Sequence, residues 1–491
     1  MNLISNAKWN AFSQFFKMAI QVVNLVYLAK IIPPAEYGLM AMAVVVMNLG
    51  ILLRDLGTSA AIIQRKNISN SQINSIFWLN VFLGVMLAIL MISLAPFISY
   101  IYREPSLTLV LILLSVTFPL SSCAATHLAL MEKVSHFRKI STIEISSSLL
   151  AAIFAIVFAN LGYGVYSLVI QAIVLNLCSA LQFWFASPWR PSFKKLILVE
   201  DLKDIFGFSA HLSIFNLINY FSRNADSFLI GKFMSSFILG SYNLAYRIML
   251  FPIQSLTYVA TRSLYPILSH HQDDNNKVKD TYLNCVLVIL VLTCPLMSGI
   301  AILSRPFISI VFGPQWHITA DVLQWLAPTA IIQSVLSTTG SVFMAKGKTN
   351  VLMKLGFVGA FLQVGSFIIG VNFSISVLAK FYLLANIINF FPVMLCLFSI
   401  VSINFSEFIK KIWPVIASTL VMVIALFLVN IYVVNFSTMG RFDLLVGVSF
   451  FGAFVYIISL FFLCGLFAYY LSGNSYLSYF NGLIGTSFFF A

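Results

Sequence analysis

Charge is what this chain has least of. Asp, Glu, Lys and Arg together make up 9% of its 491 residues, and only 15 residues are acidic against 28 basic. So sparse a polar complement excludes a water-soluble globule, whose surface draws on roughly a quarter charged residues. Cysteine is scarce as well. Cys123, Cys178, Cys285, Cys294, Cys396 and Cys464 all lie in apolar stretches and none has the close spacing of a zinc site. The six histidines are scattered without an HExxH pattern, so no metal and no cofactor is expected. Gly347-Lys348-Thr349 ends like a phosphate-binding loop, but Val342 stands where the first glycine is needed and no strand precedes it.

What is present is hydrocarbon: 60% hydrophobic residues and a mean hydropathy of +0.97. The pattern predicts an all-α integral membrane protein of about fourteen transmembrane helices, with starts near residues 9, 38, 76, 107, 140, 164, 205, 238, 281, 319, 351, 376, 412 and 444. Helices follow because a lone segment in lipid must satisfy its own backbone hydrogen bonds. Basic residues crowd alternate connections (Lys8, Arg65, Lys66, Lys133, Arg138, Lys139, Arg190, Lys194 and Lys195 among them), while the opposite set holds little beyond Lys30, Arg103, Lys232, Arg305 and Arg441. Such an asymmetry orients a membrane protein, places both termini in the cytoplasm and removes any need to invoke nucleic acid for the basic excess. The N-terminus runs straight into a full-length span, so no cleaved signal peptide is expected. No connection on the outer side is long enough to house an active site, the longest covering 304–319.

The chain also repeats itself. Residues 28–38 resemble 230–240, each ending in glycine, and Pro96-Phe97-Ile98-Ser99 returns as Pro306-Phe307-Ile308-Ser309. Each copy covers an even number of spans, which predicts two six-helix lobes of like orientation and a site where they face each other. The expected division is an N-lobe at 1–195, a C-lobe at 196–403 and two peripheral spans with a tail at 404–491. Prolines 119, 252, 295, 328 and 392 fall inside spans, where each frees a carbonyl and permits a bend.

Against this background, the ionisable residues within spans stand out: Lys17, Arg54, Arg223, Arg247, Arg262 and Lys380, with the acids Asp55, Glu144 and Asp226. A Lys or Arg at a helix centre costs on the order of 2.5–3.5 kcal/mol on insertion scales, so each is expected to be paired, to line water or to hold a ligand. Full pairing with three acids leaves positive charge over, which favours an anionic cargo. Simpler roles exist for several of them. Arg54 and Arg262 lie within reach of the cytoplasmic surface and Lys380 of the outer one, and Arg223 and Asp226 have the i, i+3 spacing of a structural ion pair. Lys17 and Arg247 are the deepest.

The motifs Ala7-Lys8-Trp9, Ala29-Lys30-Ile31-Ile32, Tyr37-Gly38, Asp55-Leu56-Gly57, Ile63-Gln64-Arg65-Lys66, Trp78-Leu79-Asn80, Arg223-Asn224-Ala225-Asp226, Tyr242-Asn243-Leu244-Ala245-Tyr246, Gln272-Asp273-Asp274 and Phe312-Gly313-Pro314-Gln315-Trp316 run in order along the chain. As a set they resemble the Wzx-type lipid-linked oligosaccharide flippases of the multidrug/oligosaccharidyl-lipid/polysaccharide exporter superfamily, in particular the colanic-acid branch. The resemblance implies two lobes around a cationic cavity and alternating access that carries an undecaprenyl-diphosphate-linked oligosaccharide from the cytoplasmic to the periplasmic leaflet of a bacterial inner membrane. It also implies polysaccharide polymerase and chain-length proteins as partners. On this reading the cations form an anion site, Arg247, Arg223 and Lys17 foremost, and Tyr242 and Tyr246 face sugar rings. Asp226, Asp55 and Glu144 serve as ion-pair or coupling residues. The rivals are a cation-coupled multidrug antiporter, which calls for an acidic cavity, and a membrane glycosyltransferase or polymerase, which calls for an outer catalytic loop.

Overall fold

The computed structural model describes residues 3–55, 62–63, 68–193, 220–221, 223–252, 254, 258–432 and 442–472, and among them it is helical with no strand. The order is α1 (Leu3–Ile31), α2 (Pro34–Asp55), α3 (Asn70–Tyr102), α4 (Ser106–Ser115), α5 (Thr117–Lys133), α6 (Phe137–Asn160), α7 (Val165–Ala186), a stretch at 223–233, α8 (Ser236–Pro252), α9 (Tyr258–His270), α10 (Asn275–Ile302), α11 (Ser304–Val311), a single 3₁₀ turn (Pro314–Trp316), α12 (His317–Ala345), α13 (Thr349–Gly370), α14 (Ile375–Val401), α15 (Phe405–Tyr432) and α16 (Phe442–Ser472). Among the described residues, 10 helical segments are long and apolar enough to cross a membrane. The chain is therefore a multi-pass membrane protein. The span expected near residue 205 lies outside the described residues. α12 has the length, at 29 residues, but Gln324, Gln333, Ser334, Ser337, Thr338, Thr339 and Ser341 dilute its hydropathy.

Local sequence explains the breaks. Ser69 and Gln72 form a reciprocal capping box at the start of α3, and Asp274 caps α10 by accepting from the backbone N–H groups of Asn276 and Lys277. The span expected near residue 107 is interrupted at Val116, between α4 and α5. Pro119 has no N–H to offer the Ser115 carbonyl, and hydroxyls rather than amides crowd the break: Ser115 Oγ donates to the Ile112 carbonyl at 2.6 Å and Thr117 Oγ1 to the Leu114 carbonyl at 2.6 Å. The two copies of the Pro-Phe-Ile-Ser repeat differ in the same way. Pro96 rides inside the unbroken α3, whereas Pro306 belongs to the separate short α11.

The chain divides into two units, Met1–Gly240 and Ser241–Ala491. In the first, α1 packs on α6, α6 on α7, and α3 on α4 and α5. In the second, α10, α12 and α14 pack in series, α13 lies on α14, and the α15–α16 pair joins through α10. Tyr282, Leu290, Phe343, Leu397 and Val415 are buried in its core.

The glycines that close the two copies of the 28–38 repeat meet each other. A β-carbon on Gly38 would overlap the Ser236 carbonyl, and one on Gly240 would overlap the Pro34 carbonyl and lie 2.8 Å from the Gly38 nitrogen. Only hydrogen fits, so α2 and the start of α8 touch backbone to backbone. Gly38→Ala and Gly240→Ala are each expected to cost about 1–3 kcal/mol by overpacking. Gly356→Ala, which meets nothing within 4 Å, is expected to be neutral or stabilising by up to about 1 kcal/mol. Thermal unfolding of the purified variants in detergent checks the contrast in sign.

Candidate functional site

The intramembrane cations have different surroundings. Lys17, on α1, donates from Nζ to Glu144 Oε2 of α6 at 2.7 Å, with the two side chains 19% and 34% exposed. Ser13, one turn before Lys17, donates from Oγ to the same oxygen at 3.4 Å. Lys17 is thus neutralised by an acid 127 residues away in sequence. Arg54, at the end of α2, is 8% exposed and donates to Ser121 Oγ of α5. It is tucked against a neighbouring helix.

Arg223 and Asp226 do not form the expected pair. Arg223 is exposed, while Asp226 is 3% exposed and accepts the Ser227 backbone N–H at 2.6 Å. The spacing sets the residues one turn apart, but one side chain points outward and the other into the packing. In the second unit, Arg247 is exposed on α8, one position after Tyr246. Tyr246 stacks on Tyr242 with ring centroids 5.9 Å apart and planes at 21°. Tyr242 is fully buried, so of the two rings expected to face a sugar it serves instead as the base on which the half-buried Tyr246 rests. Lys380 holds its ammonium 4.8 Å from the Trp325 ring centroid, a cation–π contact that anchors it near the start of α14. The side chains of Asp55 and Arg262 lie outside the described residues. Among the described residues no group of three or more His, Cys, Asp or Glu is placed to hold a metal ion.

Three further features do not involve charged side chains within spans. Neutral amides and hydroxyls link helices inside each unit. Gln333 of α12 donates to the Tyr382 hydroxyl at 2.6 Å and to Asn386 Oδ1 at 3.3 Å, both on α14, and Ser146 of α6 donates to Gln182 of α7 at 2.7 Å. A cavity of about 500 Å³ in the second unit is lined almost wholly by hydrocarbon, from Pro295 and Gly299 of α10, Met422 of α15, and Gly452, Ala453 and Tyr456 of α16. Thirdly, the segment at 187–193 is clamped to the first unit. Trp78 Nε1 donates to the Ser192 carbonyl at 2.9 Å, and the Ser192 N–H donates to Asn74 Oδ1 at 2.7 Å. Beneath it His127 is fully buried in a box of Phe77, Trp184 and Trp189, their ring centroids 6.0, 5.0 and 5.6 Å away. The cluster of Trp78, Trp184 and Trp189 in one half of the chain was the available signal.

Spans of this length in packed helical units define a polytopic helical membrane protein. The family described as Polysaccharide biosynthesis protein matches residues 27–321, more than half of the chain, and the protein belongs to that family. Among its relatives, the teichuronic acid biosynthesis protein TuaB of Bacillus subtilis (strain 168) is 27% identical, over 91% of this chain and 93% of its own. The lipopolysaccharide biosynthesis protein WzxC of Escherichia coli (strain K12) is 28% identical over 84% of each. The fold is shared with the lipid II flippase MurJ in an inward closed conformation, at a TM-score of 0.72 and 14% identity over 94% of this chain and 99% of that one. It is also shared, at a TM-score of 0.56 and 15% identity over 79% of this chain and 94% of the other, with an inward-facing multidrug transporter.

Neither ring nitrogen of His127 has a hydrogen-bond partner among the described residues. Two buried polar atoms without partners carry a desolvation penalty that an aromatic ring of similar shape avoids. His127→Phe is therefore expected to raise stability by about 1–2 kcal/mol. Thermal unfolding in detergent measures it, and a fall in stability would mean that the nitrogens hold a partner in the membrane.

Proposed function

We propose that this protein is a flippase, and not an enzyme, which moves an undecaprenyl-diphosphate-linked oligosaccharide from the cytoplasmic to the periplasmic leaflet for assembly of a surface polysaccharide. The observation that carries the reading is family membership over residues 27–321 together with cations inside the spans. The named relatives are described as proteins of teichuronic acid and of lipopolysaccharide biosynthesis, and a diphosphate is the feature of a lipid-linked cargo that a membrane-embedded cation recognises. Lys17, Arg54 and Arg223, with Arg247 and more peripherally Arg262 and Lys380, supply that positive charge. Arginine has the advantage of a planar fork that donates two bonds to one phosphate. Tyr246 offers a sugar a half-buried ring, with Tyr242 behind it. Asp226, Asp55 and Glu144 are the acids available for ion pairing or coupling. The apolar cavity beside α15 and α16 is chemically suited to hydrocarbon.

The working division is an N-lobe at 1–195, a C-lobe at 196–403 and peripheral helices at 404–491, rocking to give alternating access. Both termini face the cytoplasm of a bacterial inner membrane by the distribution of basic loops. A polymerase and chain-length proteins act on the delivered cargo. The second reading, a cation-coupled multidrug antiporter, draws on the shared fold. The excess of basic over acidic residues within spans argues against it, because cationic drugs need the opposite sign.

Deletion in the native host, with lipid-linked intermediates assayed on each leaflet, tests the proposal. Intermediates are expected to accumulate on the cytoplasmic side and to be cleared by the restored gene. An even distribution overturns the flippase reading. In the same assay Arg247→Ala, with membrane expression unchanged, is expected to lower transport at least about tenfold, the equivalent of one lost charge-assisted hydrogen bond.

A further inference from the structure

We propose that Glu144 is a built-in competitor for the cargo's diphosphate: its carboxylate occupies the Lys17 ammonium when no cargo is bound and yields it to an anionic headgroup. The inference rests on the reading of the protein as a lipid-diphosphate flippase, and it assigns Glu144 the task of setting how tightly that headgroup is held.

The donor set is the first argument. Ser13 and Lys17 are four residues apart on α1, so a hydroxyl and an ammonium project from one helix face. Both donate to one oxygen, Glu144 Oε2, at 3.4 and 2.7 Å. A phosphate oxygen asks for the same donors at the same separations. Glu144 therefore sits where an anion of the cargo would sit with respect to α1.

Access is the second. The Lys17 and Glu144 side chains retain 19% and 34% exposure while Ser13 is buried, so a ligand reaches the ammonium and the carboxylate from their open side. Lysine suits an exchange of partners. Its ammonium is a compact charge on a flexible stem with three donors and does not demand the planar two-oxygen geometry that arginine rewards.

The third argument is energetic. A lysine left unpaired within a span is costly, because hydrocarbon offers the ammonium no partner. If the headgroup left Lys17 bare on departure, release would carry that cost and the cargo would be trapped. A carboxylate that returns to the ammonium offsets it, so the site binds a diphosphate without holding it irreversibly. Because the pair ties α1 to α6, displacing Glu144 also removes a polar link between two helices of the first unit, and headgroup binding is coupled to their separation.

The test uses the full-length protein in nanodiscs, with two probes: a polyprenyl diphosphate carried in the bilayer and inorganic pyrophosphate in solution. Glu144→Gln is expected to tighten binding about three- to fivefold, the range of a partly exposed ion pair, and Lys17→Gln to weaken it by a similar factor. Glu144→Asp, whose shorter side chain reaches Lys17 less well, moves in the same direction as Glu144→Gln and serves if the glutamine variant is poorly folded. The exchanged pair, K17E with E144K, is expected to recover wild-type thermal stability but not wild-type affinity, because the ammonium then sits on the wrong helix. If the exchanged pair recovers both, or if Glu144→Gln binds no tighter than wild type, the pair is a brace and the proposal is wrong. If no variant binds the polyprenyl diphosphate while pyrophosphate shows the stated pattern, competition at Lys17 stands and the lipid-linked cargo falls. If neither probe separates the variants, competition is overturned.

Discussion

A hydrocarbon layer offers no partner to a peptide N–H or carbonyl, and each group left open there costs several kcal/mol. Every element of this chain is a response to that condition. Helices satisfy the backbone within each segment, and where a helix must break, local side chains crowd in. Ser115 and Thr117 do so around the interruption ahead of Pro119. Thr293, two residues before Pro295, bonds back to the Ile289 carbonyl at 2.9 Å. The same scarcity of partners makes polar side chains seek one another across helices, as Gln333, Tyr382 and Asn386 do between α12 and α14. Polar residues that would be swapped for water on a soluble protein here become fixed links.

Charged groups face the condition in a stronger form, and the structure treats them in three ways. Lys17 is matched with an acid, Arg54 is packed against a hydroxyl, and Lys380 is laid on an aromatic face. Each arrangement lowers the cost of a cation without removing the cation. Positive charge is therefore held ready inside the membrane at a tolerable energy. A protein that needed only to span the bilayer would have replaced these residues with leucine at a gain in stability. Their retention is intelligible if an anion arrives.

Much of this was legible in the sequence because hydropathy, charge and glycine act locally. The spans starting near 38, 76, 140, 351, 376 and 412 coincide with helices, and the capping residues Ser69 and Asp274 stand at the starts that they mark. What the sequence withheld is direction in space. The spacing of Arg223 and Asp226 puts them on neighbouring turns, yet the packing of the helix turns one outward and buries the other. The partner of Lys17 lies 127 residues away, beyond any local pattern. Tyr242 and Tyr246 are alike in sequence, and only tertiary packing makes one a buried base and the other an accessible ring. The repeat at 28–38 and 230–240 was visible as similarity, but not the fact that its two closing glycines touch.

That contact bears on what the motifs of resemblance record. Gly38 admits the backbone of a neighbouring helix, Trp78 bonds to the segment at 187–193, Asp274 caps α10, and Gly313, with φ at 111°, turns the chain so that Trp316 is fully buried. All four are joints. They report how helices are fastened, and a fastened helical scaffold of this kind also serves transporters of drugs. Lys17, Glu144 and Arg247 belong to none of the motifs. The joints thus account for the shared scaffold, and they leave open to other residues whatever distinguishes one member of the fold from another. The pair between α1 and α6 is, on the proposal made above, where selection of an anionic cargo would be sought, and not the scaffold around it.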